Sequence, residues 1–342
     1  MRKLLNVLYV TNEDAYLSKD GEDISIRISD QKPIKIPSHN LEGIVCFGYQ
    51  GASTKLMAMC AEKNIGMSFH TPFGKFLCRV QGRVSGNILL RKKQYKISDD
   101  ENKSCLIAKN FIIGKLVNYK NVLNRFKRDY RDKFDENMRR SIEYLSDTIK
   151  SVSKSEDLNS LRGLEGIGSK YYFDVFDNLI LVDNKSFRFD SRNKRPPLDR
   201  VNALLSFVYV ILSHDIESSL ESVGLDPQAG FLHRDRPGRS GLALDMMEEL
   251  RSYLCDRFVL KLINTRVIKE NDFIVKENGS VFILEEARKN ILTAWQKRKK
   301  DFIIHPFLNE KIEVGLIPYV QSLLLARYLR GDLEEYPPYL MK

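Results

Sequence analysis

Leu158-Asn159-Ser160-Leu161-Arg162-Gly163-Leu164-Glu165-Gly166-Ile167-Gly168-Ser169-Lys170-Tyr171-Tyr172-Phe173 is the stretch from which the rest of the chain is read. Leu158, Leu161, Tyr172 and, just beyond, Phe176 fall on one row at helical spacing: 158, 161, 165, 168, 172, 176. That row predicts a helix over 157–177. Glu165 lies on it, at an address where a core residue is expected. A carboxylate there needs a compensating partner, and a metal ion is the strongest one available. Gly163, Gly166 and Gly168 each weaken a helix by about 1 kcal/mol relative to Ala. They read either as points where another backbone or helix comes close, or as a helix N-terminal turn or tight packing.

Outward from this stretch the pattern stays mainly helical, with predicted helices over 101–126, 135–152, 200–222, 241–263, 284–299 and 315–330. One strand-like piece, Asn178-Leu179-Ile180-Leu181-Val182, interrupts them. Residues 1–90 read differently. Strands are expected at Leu5–Val10, at 15–17 and 24–28 around a Lys19-Asp20-Gly21 turn, and at 43–48. Ser53 caps a short helix over 54–63. Strands at 66–69 and 75–80 follow, separated by a Thr71-Pro72-Phe73-Gly74 turn. Basic Arg91-Lys92-Lys93-Gln94-Tyr95-Lys96 and acidic Ser98-Asp99-Asp100-Glu101-Asn102 mark a boundary. The expected fold is therefore α+β in two domains: a β-rich, sandwich-like unit over 1–90, a linker over 91–104 and an all-α unit over 105–342.

The chain has 342 residues, 43% hydrophobic and 29% charged, as in an ordinary globular protein. Its 55 Lys and Arg against 45 Asp and Glu give a net charge of +10, which favours a polyanionic partner, nucleic acid first. The longest apolar run, 203–212, falls short of the roughly 18 residues of a membrane span and reads as a core helix. The basic N-terminus is broken at Asn6 and followed by Glu13 and Asp14, so no signal peptide is expected. Cys46, Cys60, Cys78, Cys105 and Cys255 are scattered and form no C-x-x-C pair. This points to a reducing, cytoplasmic setting and away from structural zinc.

Two further acids and one imidazole join Glu165 as candidates. Asp245 and Glu248 stand three apart on the predicted helix 241–263, beside its stripe Met247, Leu250, Leu254 and Phe258. Neighbouring acids repel unless a positive group lies close; Arg239, Arg251 or a divalent cation would each serve. His233 lies in the preceding loop, after Asp226-Pro227 and Gly230, within reach of a carboxylate in the helix's first turns. Two acids and one histidine suit Mn²⁺ or Mg²⁺, since carboxylate oxygens prefer hard cations and an imidazole tips the choice to Mn²⁺.

Together these segments closely resemble the CRISPR-associated integrase family, Cas-one. The resemblance rests on Leu161-Arg162-Gly163-Leu164-Glu165-Gly166 with Tyr172-Phe173, on Leu225-Asp226-Pro227-Gln228-Ala229-Gly230-Phe231-Leu232-His233, and on 242–251. Arg195-Pro196-Pro197-Leu198-Asp199 with 202–206 matches a further block. Gly86–Arg91, Leu325–Gly331 and Tyr336-Pro337-Pro338 resemble the I-C subtype. One departure is Gly238-Arg239-Ser240-Gly241-Leu242, where many relatives read Gly-Arg-Pro-Ser-Leu. Losing that Pro and Ser is expected to loosen the helix N-terminus.

The resemblance implies a dimerising β-rich domain and a helical catalytic domain. It implies metal ligands Glu165, His233 and Glu248, with Asp245 as a second acid beside the site. It also implies a homodimer and a small Cas-two protein bridging two dimers. The expected function is metal-dependent DNA integration and cleavage, in which the 3′-hydroxyl of a prespacer attacks the CRISPR repeat backbone. The alternatives are a hydrolytic, structure-selective nuclease and a non-catalytic DNA-binding scaffold. Basic segments at 119–133, 185–195 and 288–300 are the candidate phosphate contacts, including Arg188, Arg192, Lys194 and Arg195, with Arg239 beyond them. Phe187 and Phe189, interleaved with these cations, read as anchors of their loop in the core rather than as base-stacking platforms. No membrane contact is expected.

Overall fold

A computed structural model describes residues 6–29, 31–63, 65–72, 76–80, 82, 88–182 and 185–341. Leu5, Phe73, Gly74, Lys75, Gly86 and Asn87, named above, lie outside these. The N-terminal part forms two sheets. Strands β1 (Asn6–Val10), β5 (Leu41–Phe47), β6 (Gly66–His70) and β7 (Phe76–Val80) make a mixed sheet in the order β1-β5-β6-β7. Strands β2 (Tyr16–Asp20), β3 (Asp23–Arg27) and β4 (Ile34–Pro37) make an antiparallel one. Helix α1 (Thr54–Glu62) is capped as expected, the Ser53 hydroxyl accepting the Leu56 N–H at 3.3 Å. Leu17, Ile24, Ile44, Leu56, Cys60 and Met67 fill one core among these elements.

The segment 91–104 is largely helical: α2 (Ile88–Ser98) is followed after two residues by α3 (Glu101–Asp129), whose N-cap Asp100 accepts the Lys103 N–H at 3.1 Å. Helix α3 is 29 residues long, and α4 (Glu136–Lys154), α5 (Leu158–Phe173) and α7 (Gly241–Leu250) pack against it. Gly168 of α5 sits against Leu116 of α3, where an added Cβ would meet the leucine side chain at 2.2 Å; this glycine allows the close approach. Gly163 and Gly166 face open space.

Helix α6 (Arg200–Ser222) is long and apolar enough to cross a membrane by length and composition. Here Leu204, Leu205, Val208, Leu212 and Ile216 are buried in the helical core, as the core-helix reading expected. The predicted helix 241–263 is interrupted: α7 runs into a π-helical turn, Arg251–Asp256, before α8 (Arg257–Asn264). The chain closes with hairpin β8–β9 (Phe273–Val275, Val281–Ile283), α9 (Glu285–Lys299), hairpin β10–β11 (Phe302–Ile304, Lys311–Glu313) and α10 (Ile317–Arg330). The strand expected at 178–182 is instead a 3-10 turn, Asp177–Leu179, and extended chain. Local turns and one side chain take up its backbone groups in place of a sheet: Leu179 and Ile180 N–H bond to the carbonyls of Phe176 and Asp177, and Asn264 accepts the Leu181 N–H at 2.7 Å and donates to the Leu179 carbonyl at 3.0 Å.

The two parts meet on α6. Arg79 of β7 lies 3.2 Å from Glu217 and 2.7 Å from Glu221, and the rings of His70 and His214 stand edge to face at 4.6 Å. Burial pushes the His214 imidazole down to about 4, so this junction is uncharged at the histidine near neutral pH.

Candidate metal and DNA site

The site forms where α3, α5, α7 and the loop 225–233 converge. Leu161, Gly168 and Tyr172 of α5 are buried, as their spacing predicts, while Glu165 on the same row is half-buried, its side chain 27% exposed. Its expected core address is thus a position at the rim of the core. Its carboxylate accepts the Ser169 hydroxyl at 2.9 Å and contacts the Lys115 ammonium.

Lys115 was not foreseen. It lies on α3 with its side chain 1% exposed, and it bridges Glu165 and the Oε2 of Glu248, the latter at 2.6 Å. The signal was available: Phe111, Lys115 and Tyr119 recur every four residues, which puts a lysine on the buried row of α3. Glu248 also receives Arg251 Nη1 at 3.1 Å. Burial alone would push the Glu248 carboxyl up; Arg251 and Lys115 outweigh it and hold the group at about 2. Burial likewise disfavours the Lys115 charge, but Glu248, Tyr119 and Glu165 reverse the effect and raise its pKa. Of the two arginines weighed as partners for the acid pair, Arg251 fills the role.

Asp245 is fully buried and serves the loop. Its carboxylate accepts the backbone N–H groups of Phe231, Leu232 and His233 at 2.6, 2.9 and 3.0 Å, and the His233 Nδ1 at 2.5 Å. The loop comes this close because Gly230 has no side chain: an added Cβ would meet the Gly241 backbone at 2.8 Å. Arg162 of α5 donates to the Leu232 carbonyl at 2.8 Å, and on the other side Gln94 and Ser98 of α2 bond to the carbonyls of 226, 229 and 230. The looseness expected at the start of α7 is offset. Ser240 makes no side-chain cap, but the Pro227 carbonyl accepts the N–H groups of Leu242 and Ala243 at 2.9 and 3.2 Å.

The donor set suits a hard divalent cation. Glu165 and Glu248 already converge on one positive charge. His233 offers Nε2, with its other ring nitrogen fixed by a carboxylate, the arrangement usual for a metal-bound histidine. As they stand, no three His, Cys, Asp or Glu side chains among the described residues form a ligand cluster. The Lys115 ammonium occupies the meeting point of the two carboxylates.

Behind the carboxylates the π turn carries Arg251 and Asp256 inward. The Tyr209 hydroxyl donates to Asp256 at 2.6 Å, and the guanidinium groups of Arg251 and Arg192 lie 5.0 and 5.3 Å from the Tyr209 ring. Such turns are frequent at functional sites. Arg192, a candidate DNA contact, faces this interior and bonds to Asn202 at 2.6 Å and Ser206 at 3.1 Å. Lys194 and Arg195 are exposed, Arg239 is half-buried, and Arg188 pairs with Asp190 at 2.9 Å on the surface. Lys194 reaches solvent, yet nearby protein atoms displace part of the water around its ammonium; that loss, then Arg251 and Arg192, lower its pKa, and Glu248 opposes them. Phe187 and Phe189 are buried, the latter against Phe173 and Phe176, as the anchoring reading expected. Asn124, Lys127, Arg128, Arg131 and Phe134 line one open basic groove; Lys289, Lys297 and Lys300 line another beside Tyr9 and Thr11.

Comparisons with known proteins agree with this architecture. The family model "CRISPR associated protein Cas1" matches residues 8–297. The chain is 48% identical over 343 residues to "CRISPR-associated endonuclease Cas1 1" of Chlorobaculum tepidum and 46% identical over 347 residues to "CRISPR-associated endonuclease Cas1 2" of Rhodospirillum rubrum, covering all of both chains in each case. Among solved structures, a casposase bound to integration product superposes with a TM-score of 0.86 at 20% identity, covering 99% of this chain and 95% of that one. A Cas1 protein from Thermotoga maritima superposes with a TM-score of 0.82 at 21% identity, covering 95% and 97%. A subunit of a Cas6-RT-Cas1–Cas2 complex superposes at 0.85 and 21% identity, covering all of this chain and 37% of that one. By the extent of the family match and of its relatives, this chain belongs to the Cas1 family of CRISPR-associated proteins.

Proposed function

We propose that the chain is a divalent-metal-dependent DNA integrase and endonuclease of CRISPR adaptation, of the I-C kind, using Mn²⁺ or Mg²⁺. The observation that carries this reading is the convergence of Glu165 and Glu248 on one cation, beside a histidine oriented by Asp245. Glu165, Glu248 and His233 Nε2 would hold the ion. When bound, the ion supplies Lewis acidity, lowering the pKa of an incoming hydroxyl and offsetting charge on the scissile phosphate. In the reaction a prespacer 3′-oxygen forms a bond to phosphorus of the repeat strand while the existing P–O3′ bond breaks. The attacking hydroxyl gives up its proton and the leaving oxygen gains one. One phosphodiester replaces another, so no nucleotide hydrolysis is required.

The chain's own residues prepare this step. Asp245 fixes the His233 ring and its loop, Arg251 keeps Glu248 ionised, and Lys194 and Arg195, exposed on the loop 185–195, would position DNA phosphates. The two open basic grooves extend that surface. The relatives' printed name, endonuclease, favours a second reading of the same site, hydrolysis with water in place of the hydroxyl. Proposed partners are prespacer and repeat DNA, a second copy of the chain through the β-rich part, and a Cas2 protein, as in the complex named above, all in the cytoplasm. Exposed Ile34 and Leu77 lie on the sheet-edge strands β4 and β7, which a second copy would cover. Strand transfer into supercoiled repeat DNA with Mn²⁺, compared with a chelator, tests the reading. Joined product only with metal supports integration, nicking alone supports hydrolysis, and DNA binding without either supports a scaffold.

A further inference from the structure

We propose that Lys115 is a built-in counter-cation that competes with the divalent ion for Glu165 and Glu248 and so sets how tightly the site holds metal. The inference rests on the metal-site reading above. Lys115 is buried on α3, and its ammonium touches both carboxylates, one contributed by α5 and one by α7. Glu165 and Glu248 are thus already balanced by Lys115 and Arg251, two charges against two. A divalent ion placed on the same oxygens adds two positive charges to a balanced set. Repulsion between cations a few ångströms apart is severe where water is excluded. Relief comes from the ammonium leaving at least one carboxylate. A flexible four-carbon stem permits that movement, and Glu165, at the rim of the core, leaves a route toward solvent.

Without the ion, the same ammonium holds two like charges together and keeps α5 in register with α7. Lys115 is therefore a positioning residue with opposed effects. It stabilises the metal-free fold and weakens metal binding. A purely structural lysine predicts the reverse sign for binding, because its removal would disorder the carboxylates and weaken metal affinity.

The test is Mn²⁺ titration of the full chain, followed by the electron paramagnetic resonance signal of free Mn²⁺, with thermal unfolding recorded with and without the ion. The proteins are wild type, Lys115→Gln, Lys115→Arg and Glu248→Gln. The proposal expects Lys115→Gln to bind Mn²⁺ at least about tenfold more tightly than wild type. That variant should also unfold at lower temperature without Mn²⁺ and gain more from its addition. Lys115→Arg, which keeps the charge, should not bind more tightly. Equal or weaker binding by folded Lys115→Gln overturns the proposal. Absent binding by wild type, or Glu248→Gln binding as well as wild type, overturns the metal-site reading beneath it. Should Lys115→Gln not fold, a crystal structure of the wild type with Mn²⁺ decides. An ammonium parted from at least one carboxylate supports the proposal; an ion held while both pairs persist overturns it.

Discussion

Glu248 and Glu249 are adjacent on one helix and both buried, and they meet different partners. Glu248 faces α3 and α5, where Lys115 and Arg251 meet it and hold it at about 2. Glu249 faces the C-terminal segment, where its partners are neutral: the Tyr336 hydroxyl at 2.5 Å, the Gln321 amide at 2.9 Å and the Tyr339 N–H at 2.9 Å. Burial pushes Glu249 up to about 7 against these three bonds. Equal depth gives opposite chemistry because the partners differ: full charges offset the loss of water, while neutral donors do so incompletely. The Glu248 side is matched to the positive charges of Lys115 and Arg251. The Glu249 side latches the chain end, aided by Asn118, which donates to the Tyr339 carbonyl at 2.7 Å and accepts the Met341 N–H at 2.8 Å.

The largest effects are expected from removing a side chain on the Glu248 side. Glu165→Ala, His233→Ala and Glu248→Ala should each lower strand transfer at least about a hundredfold, whereas Glu249→Gln should stay within a few-fold of wild type. Glu165→Ala is the cleanest of these, since a half-buried side chain is lost. Glu248→Ala leaves Lys115 and Arg251 under-compensated and is expected to cost stability as well, on the order of 3 kcal/mol. Circular dichroism separates the two effects. Equal losses from Glu248→Ala and Glu249→Gln in folded proteins would remove the distinction drawn here.

A smaller effect is expected one step out. Asp245→Asn keeps the size of the side chain but weakens its hold on three backbone N–H groups and on His233. Mn²⁺ affinity should fall by about 10- to 100-fold, measured by titration, with the rest of the fold unchanged. Unaltered affinity would separate Asp245 from the site.

The smallest effect concerns pH. Glu249 has a folded pKa raised from 4.5 to about 7, so its favourable contribution is complete below about 4.5 and is lost as pH rises toward 7 and beyond. Asp256, which burial raises to about 6, acts in the same direction. Chemical denaturation at pH 5.5 and pH 8 should show wild type losing on the order of 1–3 kcal/mol that Glu249→Gln retains. Identical pH dependence in the two proteins would show that Glu249 is not the group responsible.

Much of this architecture was legible from spacing and caps. The apolar run 203–212 within the helix 200–222, the acidic cap before Glu101 and Ser53 each marked an element, because local signals and tertiary packing agree there. Asp245, Glu248 and His233 were found because two acids and an imidazole lie close in sequence. Lys115 was missed although the row test used for Glu165 would have found it. It lies 50 residues from Glu165 and reads as one more cation in a basic chain. The π turn leaves no mark in the apolar spacing of 241–263, which continues at an ordinary helical repeat through Leu250, Leu254 and Phe258. The short hairpins β8–β9 and β10–β11 have three-residue strands, too short for alternation to register. The apolar piece at 178–182 misled because local turns and the Asn264 side chain, rather than a neighbouring strand, take up its backbone groups.

The central claim is that Glu165, Glu248 and His233 hold one divalent ion that supports DNA strand transfer. Anomalous diffraction from crystals grown with Mn²⁺ tests it most directly. A single anomalous peak bounded by these three side chains is expected, lost in Glu165→Ala together with strand transfer. A protein that joins DNA in Mn²⁺ but shows its peak elsewhere, or shows none, would contradict it.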